Sequence, residues 1–249
     1  MVDNQEQVNI SLEQMSKSGV HLGHHKSKWH PKMKDYIYGS KSNIHIIDLE
    51  QTEQKLQEAL NFLNKVVSSG KDVLFISTKK QANPIIKLIS LETGMPYVIK
   101  RWVGGTFSNF RVITKRVRQL VQLEEKLEKG KLESYTKKER KVFSDRVMKG
   151  NKLFEGLKDM KSLPGAIFVQ DISRDYLAIK EARDLKIPVI ALADTNVNPN
   201  LVDYAIPAND DGVSSINYIY GLVKEVIIKS KLERKPVSSK LDKVEKLQK

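Results

Sequence analysis

No cysteine occurs among the 249 residues, which excludes a disulfide framework, a thiolate zinc site and thiol catalysis together. Long apolar runs are missing as well. Nothing approaches the roughly 20 apolar residues of a membrane span, so a membrane protein is excluded and no membrane partner is expected. The N-terminus, MVDNQEQVNI, lacks both the basic-then-apolar pattern of a secretory signal and the arginine-rich pattern of a transit peptide. The expected compartment is the cytoplasm. Glycine-rich phosphate loops are absent too: neither the G-x-G-x-x-G of dinucleotide binding nor the G-x-x-x-x-G-K of a P-loop is present. Gly104-Gly105 follows Trp102 outside any strand-to-helix turn and reads as a tight bend. Without a G-x-S-x-G elbow there is no candidate serine for hydrolysis of that type.

Acidic residues are in deficit, 30 Asp and Glu against 43 Lys and Arg, for a net charge of +13. The excess is not spread evenly. Residues 100–161 hold 18 basic and 8 acidic side chains, and residues 229–249 hold 8 and 3, while the rest of the chain has 17 and 19. Cations concentrated on one element beside a near-neutral body are the footprint of a polyanion partner, because neutralised phosphates release condensed counterions. A solvated helical face would alternate Lys and Glu and nearly cancel. An anionic lipid surface would need a bulky apolar face that this segment lacks. Nucleic acid is the leading partner.

From about residue 50 onward, helical and strand signals alternate. Leu56, Leu60, Leu63 and Val67 share a helical stripe, Gly70 stops it, and the apolar run Val73–Ile76 follows as a buried strand. A second helix spans 81–91, with a strand at 97–99. After an interruption come strands at 166–169, 189–193 and 204–206 and helices at 177–185 and 213–228. Unbroken apolar strands between helices indicate a mostly parallel, doubly wound α/β sheet of Rossmann-like (flavodoxin-like) type. Strand segments at 37–39 and 44–47 flank the turn-rich 40–43 and suit a small antiparallel addition.

The interruption, 111–160, places Val112, Val117, Leu120, Leu123 and Leu127 on one stripe, breaks at Gly130, and restarts at Thr136 with Glu139 as a capping box. The expectation is an antiparallel α-helical coiled-coil arm inserted into the sheet domain. The expected division is therefore a body of residues 1–100 and 162–228, a basic arm of 101–161 and a basic C-terminal extension of 229–249. The side chains expected to meet phosphate are Arg101, Arg111, Lys115, Arg116, Arg118, Lys137, Lys138, Arg140 and Lys141. Trp102, Phe107 and Phe110 could stack bases, but are better suited to plugging the arm onto the body.

Four of the five histidines fall within ten residues, at His21, His24, His25 and His30. With carboxylates at strand ends they offer a divalent metal site, for zinc or magnesium, made of His24, Asp194 and Asp210. Packing, loop hydrogen bonds or RNA phosphate contacts are the favoured account of the histidines over a metal site, and helix capping that of most of the aspartates. No cofactor is required by any of these residues.

The chain resembles the bacterial-type family of small-subunit ribosomal protein number two. The resemblance is carried by Gly19-Val20-His21-Leu22-Gly23-His24, by Trp29 with Pro31-Lys32-Met33, and by Ile44-His45-Ile46-Ile47-Asp48-Leu49. Further blocks follow in the family's order: Thr78-Lys79-Lys80-Gln81-Ala82, Arg101-Trp102-Val103-Gly104-Gly105, Glu181-Ala182, Asp194-Thr195-Asn196 and Ile206-Pro207 with Asn209-Asp210-Asp211. The resemblance implies a non-catalytic constituent of the small ribosomal subunit that acts in translation, with a Rossmann-like body and a coiled-coil arm bound to small-subunit rRNA. It also implies contact with neighbouring small-subunit proteins, including the mRNA-binding ribosomal protein number one, and no homo-oligomer. The competing class is a metal- or nucleotide-dependent small-molecule enzyme using the strand-end crevice.

Overall fold

A computed structural model describes residues 10–130 and 135–233. The chain opens with α1 (Leu12–Lys17) and three short strands, β1 (Leu22–His25), β2 (Ile37–Lys41) and β3 (Ile44–Ile47), paired antiparallel in the order β1-β3-β2. Ser42 and Asn43 join β2 to β3 with φ of 50° and 64°, the left-handed pair that a tight two-residue hairpin demands. α2 (Leu49–Ser68) follows directly. It starts earlier than the apolar stripe alone predicts, because the Asp48 carboxylate accepts the Glu50 N–H at 3.0 Å and caps it.

The main sheet then builds through β4 (Val73–Ile76), α3 (Asn83–Thr93), β5 (Tyr97–Val98), the helical pair α4 (Phe110–Glu128) and α5 (Lys137–Phe154), and β6 (Ala166–Val169). It closes with α6 (Tyr176–Asp184), β7 (Val189–Ala193), β8 (Tyr204–Pro207) and α7 (Val213–Glu233). All five strands run parallel in the order β5-β4-β6-β7-β8. The order reverses between β4 and β6, the arrangement of doubly wound flavodoxin-like sheets.

Alternation along each strand divides the core. Val73, Phe75, Phe168, Ile190 and Leu192 face α2, α3 and α7, whereas Leu74, Ile76, Ile167, Val169, Val189 and Ala191 face α6 and the base of the helical pair. Both layers are buried, which is why the sequence shows unbroken apolar strands. α4 and α5 pack on each other through Leu120 and Gly150, where any added Cβ would lie 2.5 Å from Leu120. The Thr136–Glu139 capping box is present in both directions. α7 continues past its expected end at 228 to Glu233. Residues 234–249, most of the basic extension, lie outside the described residues. No helix among the described residues is long and apolar enough to cross a membrane.

Candidate functional site

A parallel sheet brings the residues that follow its strands to one edge. Here β4 delivers Lys79, β6 delivers Asp171, β7 delivers Asp194 and Thr195, and β8 delivers Asp210 and Asp211. Lys79, only 6% exposed, sets its ammonium 3.0 Å from Asp171, 2.7 Å from Asp210 and 2.8 Å from Asp211. His24, on β1, closes the cluster from the small sheet. Its Nδ1 lies 3.1 Å from Asp194, its Nε2 lies 3.4 Å from Asp211, and its backbone N–H donates to Thr195 Oγ1 at 2.9 Å. The neighbouring Gly23 permits this approach, since a Cβ there would meet Thr195 Cγ2 at 2.6 Å. β1 is polar and half-exposed, so its role as the strand joining the two sheets is invisible in its own pattern.

The protonation states follow from this crowding. Burial disfavours the Lys79 charge, but Asp210, Asp211 and Asp171 outweigh burial and raise its pKa, so it is a fixed cation. Burial, with the nearby Asp194 charge, pushes Asp210 up to about 7 against the pull of Lys79. The Asp194 hydrogen bond raises the His24 pKa despite its partial burial. Burial opposes ionisation of Asp211, yet Lys79 and His24 hold it below the usual carboxylate range. The cluster is a clamp of four carboxylates around one lysine and one histidine, uniting four strand ends and the small sheet.

Beneath it, Asp175 is buried and accepts the Thr78 N–H at 3.2 Å. Burial pushes its pKa from 3.8 up to about 6, with Asp171 adding to the rise and Thr78 opposing it. The native state therefore holds a proton that the unfolded chain gives up, and stability falls as pH rises through that window. Asp210 acts with the same sign. Asp175→Asn keeps an acceptor for Thr78 without the charge. In urea denaturation its stability relative to wild type is expected to improve by about 2 kcal/mol or less between pH 4 and pH 7; an unchanged difference contradicts the assignment.

The three residues expected to hold a metal do converge: one ligand atom each from His24, Asp194 and Asp210 lies within 4.8 Å of the others. One imidazole and two carboxylates fit zinc with an open fourth position, or a magnesium ion completed by water. The Lys79 ammonium already touches Asp210, so an ion would share that carboxylate with it.

The second region is the root of the helical pair. Glu181, a buried side chain of α6, accepts hydrogen bonds from Trp102 Nε1 (3.2 Å), Gly105 N (2.8 Å), Phe107 N (3.0 Å) and Ser108 N (3.4 Å). Trp102 and Phe107 meet edge-on, with ring centroids 4.8 Å apart, and both are buried. They plug the pair into the body and are closed to bases. The cations are placed the opposite way. Arg101 precedes the plug, Arg111, Lys115, Arg116 and Arg118 line α4, Lys137, Lys138, Arg140 and Lys141 occupy the first turns of α5, and all are exposed. Among the described residues none of these cations forms an ion pair; those on the pair's acidic side chains are Lys129–Glu125 and Lys158–Glu124.

Two features escaped sequence reasoning. The lysine clamp of Lys79 with Asp171 and Asp211, and the Glu181 acceptor, each join residues far apart in the chain. The only local signal was position, directly after a buried strand for Lys79 and Asp171.

A family model described as Ribosomal protein S2 matches residues 15–230. The small ribosomal subunit protein uS2 of Roseiflexus castenholzii is 41% identical over 230 residues, covering 92% of this chain and 88% of that protein. The protein of the same name from Francisella tularensis subsp. novicida is 41% identical over 231 residues, covering 93% and 97%. That from Coprothermobacter proteolyticus is 41% identical over 230 residues, covering 92% and 86%.

Proposed function

We propose, given that this chain belongs to the ribosomal protein S2 family, that small-subunit rRNA neutralises its basic insertion and holds it on the particle. As a member of that family the chain is a structural, non-enzymatic constituent of the small ribosomal subunit and works in translation. The strand-end crevice is then a structural clamp, not an active site.

The observation that carries the rRNA contact is the set of exposed, unpaired cations on α4 and α5, on a segment with 18 basic against 8 acidic residues. Lys137 and Lys138 add a second reason. They sit in the first turn of α5, where the positive end of the helix dipole disfavours cations. The arrangement costs the isolated helix and gains when a phosphate arrives, because dipole, backbone N–H groups and ammonium then all face an anion. In this reading, residues 101–161 act as a coiled-coil arm, 1–100 and 162–228 as its mount, and 229–249 as a further basic contact. The partners are small-subunit rRNA and neighbouring small-subunit proteins, including recruitment of the mRNA-binding ribosomal protein number one, in the cytoplasm and without homo-oligomers. A divalent ion at His24, Asp194 and Asp210 would brace the body and take no part in chemistry.

Phosphate contacts position a protein and specify little, so single substitutions in the arm are expected to cost about 1 kcal/mol or less each. Changing Lys115, Arg116, Arg118 and Lys137 together to Glu is expected to prevent stable incorporation into subunits, measured as stoichiometry in purified particles. Wild-type stoichiometry would show that the arm is not the RNA contact.

A further inference from the structure

The segment between β1 and β2 carries a surface that neither the arm nor the clamp uses. It folds as two 3₁₀ turns, Lys26–Lys28 and Pro31–Tyr36, each capped by the histidine before it. His25 Nδ1 accepts the Ser27 N–H at 3.3 Å and His30 Nδ1 accepts the Lys32 N–H at 3.1 Å. A ring nitrogen that accepts carries no hydrogen, so in each neutral ring the hydrogen is on Nε2, leaving a donor on the far side of the imidazole. The loop is pinned to the body: Lys26 N donates to Asn43 O at 2.9 Å, His30 N donates to Thr195 O at 2.8 Å, and Met33 is fully buried.

What this rigid loop presents is one large ring among cations. Trp29 lies between the two turns with 42% of its surface exposed, unusual for the residue type, and its ring meets that of His45 at a tilt of 45° with centroids 5.9 Å apart. Lys26, Lys28, Lys32 and Lys34 are all exposed around it, no acidic residue occurs from 24 to 34, and among the described residues none of the four lysines is ion-paired. An indole held in place and this far exposed offers a platform for a flat partner, and the flanking ammonium groups and imidazole N–H donors suit the phosphates that come with it. A carboxylate-rich peptide would use the cations but has no use for the ring.

We propose that Trp29 and Lys26, Lys28 and Lys32 form a second RNA contact, on the body, in which one unpaired nucleobase stacks on the indole and its adjoining phosphates meet the lysines. This rests on the reading that the chain binds rRNA but uses a surface separate from the arm, so the two can fail independently.

The test uses the full chain and a single-stranded oligouridylate as probe. Binding should be salt-sensitive and should quench tryptophan fluorescence, the chain having 2 tryptophans of which Trp102 is buried. Trp29→Ala should abolish the quenching and weaken binding about tenfold, within the range for loss of one base–aromatic stack. Trp29→Phe, which preserves an aromatic face, should recover most of the affinity. Changing Lys26, Lys28 and Lys32 to Gln should flatten the salt dependence. The arm variant with four Glu substitutions should retain the quenching; if it instead enters subunits normally while Trp29→Ala still loses the probe, the arm fails and this site stands. Unchanged affinity of Trp29→Ala, or equal binding and quenching by polyglutamate, would overturn the proposal.

Discussion

Replacing Lys79 by methionine is expected to destabilise the body by about 3–5 kcal/mol at neutral pH, the usual consequence of removing one partner from a buried charge group. The hydrophobic stem of lysine is preserved, so the loss is electrostatic: Asp171, Asp210 and Asp211 would face each other and Asp194 with only His24 in opposition. Typical domains have about 5–15 kcal/mol in total, so the variant should be near its folding threshold. The sign of the pH response is fixed. Without the ammonium the native carboxylates hold protons more tightly than the unfolded chain does, so the defect should shrink as pH falls toward 5. Adding Asp210→Asn, which removes one of the two most deeply buried carboxylates, should restore part of the stability at neutral pH. Urea denaturation of the three proteins at two pH values reads all of this, and a Lys79→Met protein as stable as wild type would show that the cluster is not an ionic clamp.

Glu181→Ala is the second large effect, and a more local one. Each Glu181 oxygen takes two donors, Trp102 and Gly105 on one and Phe107 and Ser108 on the other. Truncation strands these donors at a buried seam, and a cost of about 3 kcal/mol is expected. The consequence should appear where the helical pair meets the body: faster proteolysis across residues 100–110, with the strands of the main sheet retaining their amide protection. Glu181→Gln should be intermediate in stability, because its amide oxygen can serve one pair while its NH₂ opposes the other. Uniform loss of protection across the sheet would place Glu181 in the general core and not at the seat of the arm.

The sheet was legible in the sequence for a physical reason. Val73–Ile76, Ala166–Val169 and Val189–Ala193 are covered on both faces, so nothing polar interrupts them. The helical pair was legible through its stripe, its Gly130 break and its capping box, and the strand-end aspartates through their position. β1 was not, because Leu-Gly-His-His has one half-exposed residue after another and owes its place to His24 and Thr195 across the chain. Lys79 was equally hidden. In a chain of 43 basic residues a lysine that will be buried looks like any other, and only the folded sheet brings it against Asp171 and Asp210. Glu181 follows the same logic: one of the two acids on an amphipathic helix gives no sign that four N–H groups will turn toward it.

The most direct test of the rRNA contact is a structure of the native small subunit that contains this chain. The account predicts rRNA phosphates within ion-pairing distance of Arg116 and Arg118 on α4 and of Lys137 and Lys138 at the start of α5. A particle in which α4 and α5 project into solvent, with no nucleotide beside those cations, would contradict it.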